Sequence, residues 1–415
     1  MVRKTLLDNG IRVVSEFMPN ALSVSLGVWI DTGSSSEDPD DNGLSHFIEH
    51  LLFKGTPTRT AHQIAHEIDE VGGVLNAFTS REFVCYYVKV LHHHFQRGFD
   101  LLADIVQHPL FPSDEIEKER AVILQEIRML EDTPDDRVHD LFTQTIWEGH
   151  PLGSPIIGYA PGIERMTRDQ IHAFWQSHYQ SGNLIIAAAG NVDHDTVVRE
   201  TCRLFSDIPV GRFTLPERPR PVVSRKLRIF EKELEQEHLC IGLPAFPQSH
   251  PDRYALLLIN TILGGSMSSR LFQEIREKRG LAYSIYSYLS MHAETGALAV
   301  YAGTTAHQCD EIIHLVQSEL TRLAAEPVTE KELSSAREQL KGNILLSLES
   351  SDNRMAKLAK NEFYHGCYIP LDEIDREMEK VTPLSLAEVA ASLVRDESLN
   401  MVMLGPYTSR GALDE

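Results

Sequence analysis

Cysteine is scarce and poorly placed for cross-linking. The five present, Cys85, Cys202, Cys240, Cys309 and Cys367, are scattered over 415 residues and never fall in CxxC register. That excludes a disulfide framework and a thiolate metal site, and it points to a reducing compartment. Long apolar runs are missing too, with none near the ~20 residues of a membrane-spanning helix. The opening Met1-Val-Arg-Lys-Thr-Leu-Leu-Asp-Asn-Gly10 has neither the apolar core of a secretory signal nor an Arg/Ser-rich presequence, so a cytoplasmic chain with no membrane partner is expected. Positive charge is in deficit: 39 Lys and Arg against 60 Asp and Glu leave a formal charge of -21, which repels phosphate backbones and argues against nucleic acid. Low-complexity tracts are absent, and 42% hydrophobic residues mark a folded globular chain.

Such a length exceeds one ordinary core. Around residues 205 to 225 the text loses periodicity and gains prolines, which favours an extended connector. The expected division is a domain over 1–207, a Pro-rich linker over 208–225 and a second domain over 226–415. Each side repeats one order of signals: alternating apolar strands, an amphipathic helix, more strands, then long Glu/Leu/Arg-rich helices. Glu67, Ile68 and Gly73 recur at one offset as Glu274, Ile275 and Gly280, and Ile127, Asp135 and Arg137 recur at another as Ile344, Asp352 and Arg354. The fold class this predicts is α+β, two homologous domains, each a mostly antiparallel sheet covered by helices. Strands are expected at 23–30, 83–91, 184–189 and 298–302.

Leu44, Phe47, Ile48, Leu51 and Leu52 form the i, i+3, i+4, i+7, i+8 stripe of a buried helix. The adjoining face then carries His46, Glu49, His50 and Phe53, with the two imidazoles one turn apart. This His-x-x-Glu-His order is the inverse of the common zinc helix. The competing reading is a pair of partly exposed helix histidines. A catalytic zinc takes a third protein ligand, and a helix from about Asp114 to Glu131 offers Glu119, Val122, Ile123 and Glu126 on one face. A solvated face on a charge-rich helix is the alternative there. His62 and His66, also one turn apart, read as a solvated helix face, and His92 to His94 as an exposed strand end.

His46-Phe-Ile-Glu-His50 with Glu126 76 residues on, Leu51-Leu-Phe-Lys-Gly-Thr56, Gly72 to Ser80, Gly264 to Arg270 and Arg276 to Tyr283 together resemble the pitrilysin or insulinase family across nearly the whole chain. The resemblance is nearest to bacterial peptidases like the processing peptidase β-subunit. It implies a zinc endopeptidase acting on short or unfolded peptides, with one Zn2+ per chain on His46, His50 and Glu126. Glu49 would be the general base, and Glu119 would orient a histidine. Asn76 and Tyr283 would donate to the oxyanion, and Arg276 would position the substrate backbone. It further implies that the peptide adds as a strand beside Asn76, Ala77 and Phe78, with Phe53 lining a pocket just after the cut. Asp136 and Asp140 would bind a basic residue upstream of it, although plain surface charge accounts for them equally well. The two domains would face each other as a clam shell, and the chain would pair as a homodimer, with a heterodimer as the alternative. Positions matching His46 and His50 in the second half are Arg253 and Leu257, so the second domain lacks the metal ligands.

Overall fold

The computed structural model describes residues 1–214, 220–395 and 398–406; residues 215–219 of the expected linker lie outside them. Among the described residues, eleven strands form two sheets. The first contains β1 (Val2–Leu6), β2 (Arg12–Phe17), β3 (Ser23–Ile30), β4 (Val74–Thr79), β5 (Val84–Leu91) and β6 (Leu184–Gly190), ordered β1-β2-β6-β3-β5-β4. The second contains β7 (Lys226–Glu231), β8 (Glu237–Ala245), β9 (Ser284–Met291), β10 (Gly296–Thr304) and β11 (Asn400–Gly405), ordered β7-β11-β8-β10-β9. With β1 set aside, the two orders correspond strand for strand. Even the single parallel pair recurs, β2 with β6 and β7 with β11, while the other pairs are antiparallel. The α+β duplication expected from scattered matches is thus a repeated topology, and all four expected strands form.

The first five α-helices are α1 (Leu44–Leu51), α2 (Ala61–Glu70), α3 (Phe95–Gln107), α4 (Ser113–Glu131) and α5 (Pro134–Ile146). The chain folds into two compact units that are not contiguous in sequence. One takes 1–128, the described part of 154–218, and 346–368; the other takes 129–153 and the described parts of 219–345 and 369–415. These units cut across the simple division at 208–225, because each sheet is covered on one face by a helix from the other half of the sequence. In the first unit the helix Ser351–His365 packs on β2, β3 and β6, adding Met355, Leu358 and Ala359 to a core with Trp29, Phe83, Cys85 and Ile185. In the second unit α5 packs on β8 and β11, adding Val138, Leu141, Phe142 and Ile146 to a core with Cys240, Ala299, Val402 and Leu404. A sheet that is apolar on both faces needs both covered. Gly27 permits the close approach in the first unit: a Cβ there would lie 2.7 Å from Trp29 Nε1 and 2.8 Å from Met355 Sδ. No helix among the described residues is long and apolar enough to cross a membrane.

A buried histidine is expected to make the first unit acid-labile. His178 ends the helix Arg168–His178, stacked on Phe174 and packed against the tilted ring of Phe213, each ring centroid 3.8 Å away. Its Nδ1 bonds the Phe174 carbonyl at 2.8 Å, and Nε2 is buried without a hydrogen-bond partner. Burial pushes its pKa down to about 4, against the pull of that carbonyl and of Asp38. A base whose folded pKa is depressed contributes stability above its unfolded pKa, near 6.5, and loses it as pH falls toward the folded value. The loss between neutral pH and pH 4 should be roughly 3 kcal/mol. Urea unfolding of His178→Phe at pH 7.5 and pH 4 should show the difference between the two conditions reduced by about that amount; an unchanged difference would refute the assignment.

Candidate metal centre

Burial sorts the residues of α1. Leu44, Phe47, Ile48 and Leu51 are fully buried and anchor the helix in the first core. The remaining face holds His46, Glu49 and His50, all half-buried. On α4, Ile116, Glu119 and Ile123 are buried in one stripe, and Glu126 follows one turn later with its carboxylate more open. The two helices bring His46, His50 and Glu126 together, with one donor atom from each lying within 4.8 Å of the others. Among the described residues this is the one His/Cys/Asp/Glu group of three or more that could hold a metal ion.

One oxygen, Glu126 Oε2, lies 3.9 Å from His46 Nε2 and 3.6 Å from His50 Nε2. Both separations are too long for good hydrogen bonds. They are close to the ~3.3 Å between ligand atoms that bonds of about 2 Å to a tetrahedral zinc produce. The imidazole rings stand 4.7 Å apart. Burial, then the neighbouring His50, pushes the His46 pKa down to about 3, so the ring is neutral and able to ligate. Two imidazole nitrogens and one carboxylate oxygen are the donor set of a catalytic zinc site, and the residues fit that ion.

Glu119 has a different place from Glu126 although both lie on one helix face. Its Oε2 accepts a hydrogen bond from His50 Nδ1 at 2.9 Å, and its Oε1 pairs with Lys54 Nζ at 2.6 Å. Burial works to raise the Glu119 pKa, but Lys54 and His50 overcome it, and the group lies below its ordinary range. That bond leaves His50 Nε2 free to face Glu126. Glu49 is met from the sheet: Thr79 Oγ1, on β4, donates to Glu49 Oε2 at 2.5 Å. Burial raises the Glu49 pKa, with the Thr79 bond opposing it.

β4 is an outer strand of its sheet, paired among the described residues only with β5. Its pleat places Leu75, Ala77 and Thr79 toward α1 and its core, with Phe53 packed on the same core and 6.3 Å from Tyr86. Phe78 points to the opposite face, against Trp29 at 5.5 Å, Phe83 and Tyr87. Asn76, two residues earlier, is exposed on that same opposite face, so its side chain is turned away from Glu49. The structure therefore gathers His46, Glu49, His50, Glu119 and Glu126, and places Asn76 along the strand edge instead.

In the second unit, Arg276 sits in a π-helical turn, Phe272–Glu277, with its guanidinium 4.7 Å from the ring centroids of both Phe272 and Tyr283. Tyr283 is 79% exposed. Asp136 and Asp140 lie one turn apart on α5, the first exposed and the second half-buried. Arg253 begins an apolar helix, Arg253–Gly264, with Tyr254, Ala255 and Leu256 buried. His62 and His66 are exposed on α2, and His92–His94 form a short 3-10 turn after β5.

Sequence reasoning missed Lys54 and Thr79. Lys54 was findable, since it follows His50 by four residues and so shares its side of the chain. Thr79 was not, because strand alternation alone does not say which face meets a distant helix.

Two imidazoles and a carboxylate converging from a helix pair on one copy of a duplicated α+β unit fit a metal-dependent hydrolase. Residues 12–160 match the family described as Insulinase (Peptidase family M16), and residues 165–340 match the Peptidase M16 inactive domain. Over 382 residues the sequence is 41% identical to a Bacillus subtilis protein called uncharacterized zinc protease YmxG, covering 92% of this chain and 93% of that one. It is 38% identical over 419 residues to a protein called an uncharacterized zinc protease in Streptomyces coelicolor, covering 99% and 91%. The fold is shared with the crystal structure of a peptidase M16 inactive domain from Pseudomonas fluorescens, at a TM-score of 0.91 and 22% identity over 99% of this chain and 98% of that one. The chain belongs to peptidase family M16, the pitrilysin/insulinase family.

Proposed function

We propose that this chain is a zinc-dependent endopeptidase that cleaves short or unfolded peptides held as an added strand along β4. The observation that carries this reading is the convergence of His46, His50 and Glu126 within 4.8 Å, with Glu49 beside them and tied to the free edge strand by Thr79. His46, His50 and Glu126 hold one zinc per chain. When bound, zinc polarises the scissile carbonyl and acidifies a water molecule. Glu49 takes the proton of the attacking water and returns it to the leaving amine. Glu119 fixes the ring of His50, and Lys54 keeps Glu119 charged and aimed.

The outer edge of β4 along Asn76, Ala77 and Phe78 binds an extended peptide through main-chain groups with little regard to its sequence, the Ala77 N–H exchanging its bond to Asn76 Oδ1 for the peptide. Phe53 lines the pocket after the cut. Arg276 and Tyr283 bind peptide backbone, with Tyr283 donating to the oxyanion. Asp136 and Asp140, one turn apart, take a basic side chain upstream of the cut. The reading is completed by a homodimer working in the cytoplasm.

The test is a cleavage profile on a peptide library with and without a chelator. Cleavage that stops with chelator and returns with zinc is expected, together with a preference for Arg upstream of the cut. Asp136→Ala combined with Asp140→Ala should bring the Arg-to-Ala ratio of kcat/KM to near one. Chelator-resistant cleavage would overturn the metal reading; an unchanged ratio would overturn the specificity reading alone.

A further inference from the structure

The helix that carries His46, Glu49 and His50 begins without a cap of its own. Gly43 stands at its N-cap with φ 102° and no side chain to offer. A larger residue is excluded there, because a Cβ would lie 2.7 Å from Ile163 Cδ1 and 3.0 Å from Gly158 Cα. Helix starts leave N–H groups unpaired, and here a residue six positions upstream of the N-cap takes two of them. Glu37 Oε2 accepts from the Gly43 N–H at 2.7 Å, and Oε1 accepts from the Ser45 N–H at 2.7 Å. Asn42 Nδ2 donates to the same Oε2 at 3.0 Å and also to the Pro155 carbonyl at 3.0 Å. Glu37 is only 2% exposed. Burial pushes its pKa up to about 7, with these hydrogen bonds pulling the other way.

Burying a carboxylate is costly, and an ordinary cap needs only a small polar residue at the helix start. What a carboxylate adds is two acceptor oxygens in one plane and no donor. Both oxygens grip backbone at the start of the same short helix, one at Gly43 and the other at Ser45, three residues and one residue before His46. Leu44 and Phe47 seat that end of the helix in the core, and the two bonds to Glu37 add a polar constraint on its height and rotation.

We propose that Glu37 is a positioning residue of the metal site: through Gly43 and Ser45 it sets where α1 presents His46, Glu49 and His50. This inference rests on the zinc peptidase reading above. Misplacement of catalytic groups by about 1 Å can cost on the order of a hundredfold in rate.

The test is Glu37→Gln, nearly the same shape but with an amide nitrogen forced against one of the two backbone N–H groups. Zinc affinity, read by chelator competition, should weaken about tenfold to a hundredfold. At saturating zinc, kcat should fall about a hundredfold with KM within about threefold. Asn42→Ala, which removes one of the donors to Glu37 together with the bond to the Pro155 carbonyl, should shift both quantities in the same direction by less, and it serves if the first variant does not fold. A Glu37→Gln protein with wild-type zinc affinity and kcat overturns the proposal. So does a loss confined to melting temperature, with each folded molecule as active as wild type. A wild-type chain that neither binds zinc nor cleaves peptide overturns the underlying reading, and this inference with it. A wild-type chain that does both, beside unchanged variants, overturns this inference alone.

Discussion

Glu49→Gln is expected to keep its zinc and to lose turnover by about a thousandfold or more, at the upper end of what a positioned general base contributes. Glu49 is no member of the three-donor group, so zinc affinity should stay within about threefold of wild type while kcat collapses. Its surroundings suit the role. Burial lifts its pKa above the ordinary carboxylate range, which strengthens it as a base, and the Thr79 hydroxyl holds one oxygen in place. Gln preserves the size and the bond to Thr79 but cannot accept a proton. Chelator competition and steady-state kinetics on one peptide separate the two effects. Turnover retained in the zinc-loaded variant would remove Glu49 from the mechanism.

The second large effect is on the metal. Glu126→Ala is expected to lower zinc affinity by about a thousandfold, because two imidazoles are one protein ligand short of a catalytic zinc site. The neighbouring carboxylate on α4 provides the comparison. Glu119→Gln removes a bond to His50 Nδ1 rather than a ligand, and should cost about tenfold to a hundredfold. Equilibrium dialysis against zinc buffers measures both. Equal losses in the two variants would mean that the carboxylates had been given the wrong places, and a Glu126→Ala chain with wild-type affinity would refute the ligand set.

Both predictions concern residues that local periodicity had already grouped. The four-residue spacing of His46 to His50 is a statement about one turn of helix, and a helix fixes which side chains share a face whatever surrounds it. The apolar stripe of α1, the expected strands and the repeated order of elements were legible for the same reason. Periodicity could not rank Glu119 against Glu126, since both lie on one face of α4; the family resemblance chose Glu126. The structure adds the reason in space: Glu126 faces Nε2 of both histidines, whereas Glu119 faces Nδ1 of one and Lys54.

By itself, then, the sequence determined a duplicated α+β chain with its candidate metal ligands on two helices of the first copy. Only the tertiary structure decided what depends on pairing distant segments. It turned the Asn76 side chain away from Glu49 and Thr79 toward it, since the face of an edge strand is set by what packs beneath it. It exchanged α5 and the helix Ser351–His365 between the sheets, because covering an apolar face is satisfied by any helix of the right pattern, near or far along the chain. It also put Glu37 at the start of α1, a contact made by loop geometry that leaves no periodic trace.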